Sequence, residues 1–193
     1  MTFLIITDIF GLCSATDKLQ DHLKSQGAKV IILDPYQGQC LDFIDAGAAY
    51  LAFIKDMGHE AFYQAGLDLV KKTSPTCVIG FSAGASVAWR LVANHTFKFD
   101  QVVCFYPSQI RHHSQLQPSS PCRLILPSFE ASFDVKQMAD KLSHYSHLEV
   151  IKSNYGHGFM NPKSAEYRLK AETEGYQMLG LETHTQLINF EST

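Results

Sequence analysis

Clusters of basic residues are missing from this sequence of 193 residues. Only 18% of its residues are charged, and the formal net charge at pH 7 is -3. Nucleic acids and anionic membranes bind basic surfaces, so neither is expected as a partner. The apolar start of the chain has no positively charged region before it and is interrupted at Asp8. It is too short to span a membrane, so we expect a buried strand there rather than a signal peptide.

Paired cysteine motifs are also missing. The five cysteines lie at positions 13, 40, 77, 104 and 122, and no two of them form a CxxC. Neither a disulfide framework nor a zinc knuckle is expected, and the cytoplasm is the predicted compartment. No glycine-rich phosphate loop follows the first apolar run, which argues against a flavodoxin-like nucleotide-binding protein. The length and the 46% of hydrophobic residues predict one globular domain over residues 1–193.

Six short apolar runs alternate with stretches of helical length. Such continuous apolar runs are typical of strands buried on both faces, and the alternation predicts a three-layer α/β domain with a mainly parallel sheet. Strands are predicted over residues 3–6, 29–33, 77–79, 101–105, 123–126 and 148–151, in the order 2-1-3-4-5-6. Helices are predicted over residues 14–26, 45–55, 60–72, 83–93, 135–144 and 164–179. Residues 106–121 are predicted to form the longest polar loop, and residues 183–193 have only mild strand character.

A GxSxG motif occupies residues 80–84, which read Gly-Phe-Ser-Ala-Gly. The motif follows an apolar strand and precedes a helix rich in small residues, the context of a nucleophile elbow in an α/β-hydrolase. A plain tight turn before a helix is the alternative interpretation. On the elbow interpretation, Ser82 is the candidate nucleophile.

A serine hydroxyl needs an adjacent base to become a good nucleophile. His157 lies between two glycines just after the last predicted strand, which is where this fold places its catalytic histidine. The alternative is an ordinary histidine of a surface loop. His184 is the other late candidate, but it lies past the last predicted helix.

The base needs a carboxylate that holds its imidazole in the useful tautomer. Chain order places this acid after the fifth strand, where Glu130 and Asp134 both qualify. Asp134 precedes the helix over residues 135–144 with Gln137 at the third helical position, so it has a separate explanation as a helix N-cap. Glu130 has no such explanation and is favoured, with Asp134 as the alternative.

The remaining parts of a hydrolase site are predicted from chain position. The backbone N–H groups of Ala83 and Ile9 are expected to bind the oxyanion, as the residue after the nucleophile and a residue after the first strand. His112 and His113 are adjacent and lack an acidic neighbour, so they are expected to be solvated loop residues and not metal ligands. The expected reaction needs no metal or organic cofactor. Residues Asp8, Phe81, Tyr106 and Phe159 are predicted to line the substrate pocket.

Several segments resemble the dienelactone hydrolases and their relatives. These are residues 8–12 (Asp-Ile-Phe-Gly-Leu), 30–38, 105–107 (Phe-Tyr-Pro) and 157–162 (His-Gly-Phe-Met-Asn-Pro), and the similarity covers nearly all of residues 3–162. The resemblance implies hydrolysis of a small ester or lactone through an acyl-enzyme, and it again points to Glu130 as the acid. Two positions differ: the type enzymes have a cysteine where Ser82 stands, and a substrate-binding arginine where Asn161 stands.

The expected function is therefore that of a serine hydrolase acting on a small ester, lactone or thioester. No insertion long enough for a separate cap domain interrupts the chain, so short acyl groups are expected. The expected protein is a monomer or a small homo-oligomer. The alternative is a non-catalytic binding protein that keeps the α/β-hydrolase fold, which the glutamate at the acid position and the missing arginine would fit.

Overall fold

Six parallel strands form one sheet in the computed structural model, which describes residues 1–180. The strands follow the order β2-β1-β3-β4-β5-β6, and every neighbouring pair is parallel, as predicted. Their bounds are β1 Thr2–Ile6, β2 Lys29–Leu33, β3 Cys77–Phe81, β4 Gln101–Phe105, β5 Cys122–Leu126 and β6 Leu148–Lys152. The predictions for residues 183–193 and for His184 lie outside the described residues.

Helices cover both faces of the sheet, which confirms the predicted three-layer architecture. Their bounds are α1 Ser14–Ser25, α2 Ala46–Asp56, α3 Gly58–Thr73, α4 Ala83–Val92, α5 Ile110–His113, α6 Val135–Leu142 and α7 Leu169–Met178. Within residues 1–180, none of these helices is both long enough and apolar enough to cross a membrane.

Strand β1 contributes side chains to two hydrophobic cores, because successive side chains of a strand point to opposite faces of the sheet. Leu4 and Ile6 are fully buried in the core shared with α3, α4 and α6. Phe3 and Ile5 are buried in a second core, which they share with α1 and α7. The continuous apolar run of β1 is explained by burial on both faces.

The expectation that all six strands are buried on both faces is wrong for the two edge strands. Most residues of β2 and β6 are only half-buried, and Lys29, Glu149 and Lys152 are exposed. An edge strand has a neighbour on one side only, so solvent reaches part of its surface.

Two local predictions also need correction. The predicted loop over residues 106–121 contains the short helix α5, which places Ile110 fully inside the core. Helix α7 begins at Leu169 and not at Ser164, because the Ser164 hydroxyl accepts a hydrogen bond from the Glu166 N–H at 3.2 Å. A serine side chain that bonds a nearby backbone N–H in this way favours a turn over a helix.

Candidate active site

The candidate nucleophile lies at the turn between β3 and α4, at the carboxyl edge of the sheet. Ser82 has a φ of 50° and a ψ of -109°, which L-residues rarely adopt. Its N–H donates to the carbonyl of Phe105 at 2.9 Å, which ties the turn to β4. The side chain is thus held at a strained turn, next to the amino end of a helix.

The glycines on either side of Ser82 allow this turn to pack against the sheet. A Cβ at Gly80 would lie 2.5 Å from the Gly84 carbonyl oxygen, and a Cβ at Gly84 would collide with the carbonyls of Ile6 and Thr7. Carbon atoms do not approach these distances, so both positions need glycine. Close contact with neighbouring backbone atoms therefore explains why the motif has glycine at both positions.

The structure brings Ser82, His157 and Glu130 together in one hydrogen-bonded chain. Ser82 Oγ lies 2.8 Å from His157 Nε2, and His157 Nδ1 lies 2.7 Å from Glu130 Oε2. A carboxylate at that distance keeps the ring proton on Nδ1, so that Nε2 can accept the hydroxyl proton of Ser82. The three side chains come from positions up to 75 residues apart in the chain.

A glycine turn, a hydrogen bond and a ring contact hold the loop that carries His157. Gly158 has a φ of 84°, which a glycine adopts without strain. The Ser164 hydroxyl donates to the His157 carbonyl at 3.2 Å, and the Tyr106 ring packs on the imidazole with centroids 5.1 Å apart. The His157 side chain remains 32% exposed.

The two candidate acids occupy different environments. The Glu130 side chain is 11% exposed and contacts His157. Asp134 Oδ1 instead accepts the N–H of Gln137 at 2.9 Å, which confirms the predicted N-cap of α6. Within residues 1–180, each carboxylate has one hydrogen-bond partner, and only Glu130 is hydrogen-bonded to His157.

The two predicted oxyanion donors lie in the loop after β1 and at the amino end of α4. Asp8 holds the loop after β1, because its carbonyl accepts the Gly11 N–H at 3.2 Å and its Oδ1 accepts the Phe10 N–H at 2.9 Å. Ala83 is the first residue of α4, where backbone N–H groups have no partner within the helix. Among the hydrogen bonds within residues 1–180, neither the Ile9 nor the Ala83 N–H donates to a protein acceptor.

Three of the four predicted pocket residues line a cavity beside this chain of hydrogen bonds. Asp8, Phe81 and Tyr106 are at its surface, whereas Phe159 is fully buried behind Tyr106, with ring centroids 5.3 Å apart. The structure therefore places Phe159 as a support for Tyr106. The cavity has a volume of about 30 Å³.

Asp8 and Asn161 form a buried pair that no sequence pattern indicated. Asn161 Nδ2 donates to Asp8 Oδ2 at 2.7 Å, and the two side chains are 153 residues apart in the chain. Burial raises the pKa of the Asp8 carboxyl above its ordinary value, although the hydrogen bonds from Asn161 and Phe10 and the charges of His157 and Lys163 lower it. Asn161 thus uses its amide to satisfy a buried carboxylate next to the candidate site.

A parallel sheet with a strained serine turn and a histidine loop at its carboxyl edge defines an α/β-hydrolase. The sequence matches the dienelactone hydrolase family over residues 2–181, and this chain belongs to that family.

Solved structures share the fold at low sequence identity. A proposed dienelactone hydrolase from Klebsiella pneumoniae superposes with a TM-score of 0.67 at 18% identity, covering 92% of this chain and 84% of that one. A dienelactone hydrolase-like promiscuous phosphotriesterase from metagenomic libraries gives a TM-score of 0.66 at 16% identity, covering 92% of this chain and 83% of that one.

The uncharacterized protein YczH of Bacillus subtilis is 38% identical over 92 residues, which are 47% of this chain and 45% of that protein.

Proposed function

We propose that this protein is a serine hydrolase that cleaves a small ester, lactone or thioester through an acyl-enzyme intermediate. The observation that carries the proposal is the continuous chain from Ser82 Oγ through His157 to Glu130, with links of 2.8 Å and 2.7 Å. Membership of the dienelactone hydrolase family supports the reaction class.

In the first half of the reaction, Ser82 Oγ attacks the carbonyl carbon while His157 Nε2 takes the hydroxyl proton. Glu130 stabilises the imidazolium that forms. The Ile9 and Ala83 N–H groups are proposed to donate to the oxyanion, and the amino end of α4 adds a favourable partial charge there. The leaving alcohol or thiol departs with the proton from His157, and the acyl group stays on Ser82.

In the second half, water attacks the acyl carbon and gives its proton to His157. The tetrahedral intermediate collapses, the acid product leaves, and Ser82 recovers its proton. The small cavity beside the site supports a short acyl group.

The first prediction tests this function with Ser82→Ala. The variant should fold normally but lose ester turnover and labelling by a fluorophosphonate probe, because only an activated serine forms the covalent adduct. Mass spectrometry of the labelled parent should place the adduct on Ser82. Ser86 lies one helical turn further on, bonded to the Ser82 carbonyl at 3.1 Å, so Ser86→Ala is a matched control that should still be labelled. An unlabelled parent without esterase activity would instead favour a binding protein.

A further inference from the structure

The cavity beside the candidate site lies between the carboxyl end of β1 and helices α1 and α7. Its volume of about 30 Å³ is room for roughly two water molecules, at roughly 10–15 Å³ for each. It is therefore large enough for two or three non-hydrogen atoms of a ligand. It is lined by Thr7, Asp8, Cys13, Ala15, Thr16, Leu19, Phe81, Tyr106, Met160, Asn161 and Tyr176.

The Tyr106 hydroxyl is a buried donor without a partner in this cavity. Tyr106 is 1% exposed, and its hydroxyl makes no hydrogen bond within residues 1–180. The Met160 N–H approaches the oxygen, but no group accepts the hydroxyl proton. Burial and the nearby charges of Asp8 and Cys13 raise the pKa of Tyr106 well above its usual range. Asp8 and Cys13 line the same cavity as Tyr106.

Asp8 supplies an acceptor at the same place. A carboxylate has about four lone-pair positions, and the Phe10 and Asn161 N–H groups occupy two of them. No lysine or arginine is among the lining residues of this cavity. A ligand group here meets one donor and one acceptor, which suits a hydroxyl, since a hydroxyl both accepts and donates. A carboxylate would be repelled by Asp8.

Three residues that line the cavity adjoin parts of the proposed reaction centre. Phe81 directly precedes Ser82, and Asp8 directly precedes Ile9. The Tyr106 ring packs on the imidazole of His157.

We propose that this cavity is the acyl subsite, and that Tyr106 and Asp8 select short acyl groups with a hydroxyl next to the carbonyl, as in 2-hydroxyacyl esters. The inference rests on the proposed function of Ser82 and adds the substrate class to it. In the complex, Tyr106 donates to the substrate hydroxyl, and that hydroxyl donates to Asp8.

Phenyl glycolate and phenyl propionate provide the test, because they share a leaving group and differ by a hydroxyl in place of a methyl. Tyr106→Phe should lower kcat/KM for the glycolate ester about five- to tenfold, the usual effect of one lost hydrogen bond. The propionate ester should change less than twofold. The different intrinsic reactivities of the two esters cancel when the ratios for variant and parent are compared. Monophenyl malonate should react at least tenfold more slowly than the propionate ester in the parent.

Tyr155→Phe is the matched control. Tyr155 packs on Phe159 at 5.4 Å but does not line the cavity, so this variant should keep the parent's ratio. The Tyr106→Phe variant should melt no lower than the parent, because it loses an unpaired hydroxyl. An unchanged ratio in Tyr106→Phe, or equal rates for malonate and propionate esters, would overturn the inference alone. A parent that hydrolyses none of these esters would overturn the proposed function and the inference with it.

Discussion

Glu130 and Asp134 are the two carboxylates considered as the partner of His157, and they occupy different places in the fold. Both follow β5 within eight residues, and chain order cannot tell which of them reaches the imidazole. The structure resolves the contacts: Glu130 bonds His157, and Asp134 caps α6.

Replacing Glu130 by glutamine tests its role as the acid. The amide cannot hold the ring proton on Nδ1 as a carboxylate does, so the wrong tautomer is favoured and kcat should fall by about three to four orders of magnitude. The shape of the side chain is kept, so the melting temperature should change little. Steady-state kinetics and thermal melts of parent and variant check both parts. Near-normal turnover would show that His157 is held in another way.

The contact between Asp8 and Asn161 could not be predicted from the sequence. No local pattern links a residue after the first strand to one near the end of the described chain, and the contact exists only because β1 and the His157 loop meet at one edge. Sequence identified Asn161 as a departure from the family pattern without indicating its partner.

Helix α6 depends on its first cap for part of its stability. Asp134→Ala removes the acceptor of the Gln137 N–H and should cost about 0.5–2 kcal/mol of unfolding free energy. Turnover should stay close to that of the parent, because Asp134 does not contact His157. Urea unfolding monitored by circular dichroism, with kinetics on the same sample, checks this. A loss of activity as large as that of Glu130→Gln would instead implicate Asp134 in the reaction.

Elements with strong periodicity were predicted within a few residues, whereas those decided by side-chain contacts were not. Helices α1 to α3 were predicted from apolar residues at the 3.6-residue period. Helix α4, which is buried over nearly its whole length, was predicted from its position directly after β3, and α6 from its N-cap Asp134. Helix α5 is a single short turn in a polar segment, where only the burial of Ile110 marks it. The late start of α7 follows from the hydroxyl contacts of Ser164, which no periodicity can show.

The topology of the whole molecule followed from the alternation of apolar runs with helical stretches. Right-handed crossovers and two-sided burial leave few arrangements for such a chain. What the alternation cannot show is which polar groups are brought together between layers. His59 is one of these: its Nε2 atom is buried and makes no hydrogen bond within the described part of the chain.

Stability should fall in mildly acidic solution because of His59. Burial lowers the pKa of its imidazole, and positive charge on Arg111, His112, His113 and Arg90 lowers it further. The unfolded chain then binds a proton near pH 6.5 that the folded protein binds only at lower pH, so stability present above this range is lost as the pH falls. His59→Phe keeps a ring against Phe53 and should flatten the decline in melting temperature between pH 7.5 and 5.5. An equally steep decline in the variant would rule out this explanation.

Cys13 lines the cavity with its Sγ 3.6 Å from Asn161 Oδ1. An alkylating reagent that reaches this thiol would add atoms where the acyl group is proposed to bind, and inhibition would follow without any covalent role for the sulfur. Sensitivity to iodoacetamide is therefore no guide to the nucleophile in this protein, although the resembling type enzymes use a cysteine. Inactivation by a thiol reagent is therefore expected from blocking of the cavity. The Cys13→Ser variant should be tested with the same reagent before a loss of activity is attributed to a catalytic cysteine.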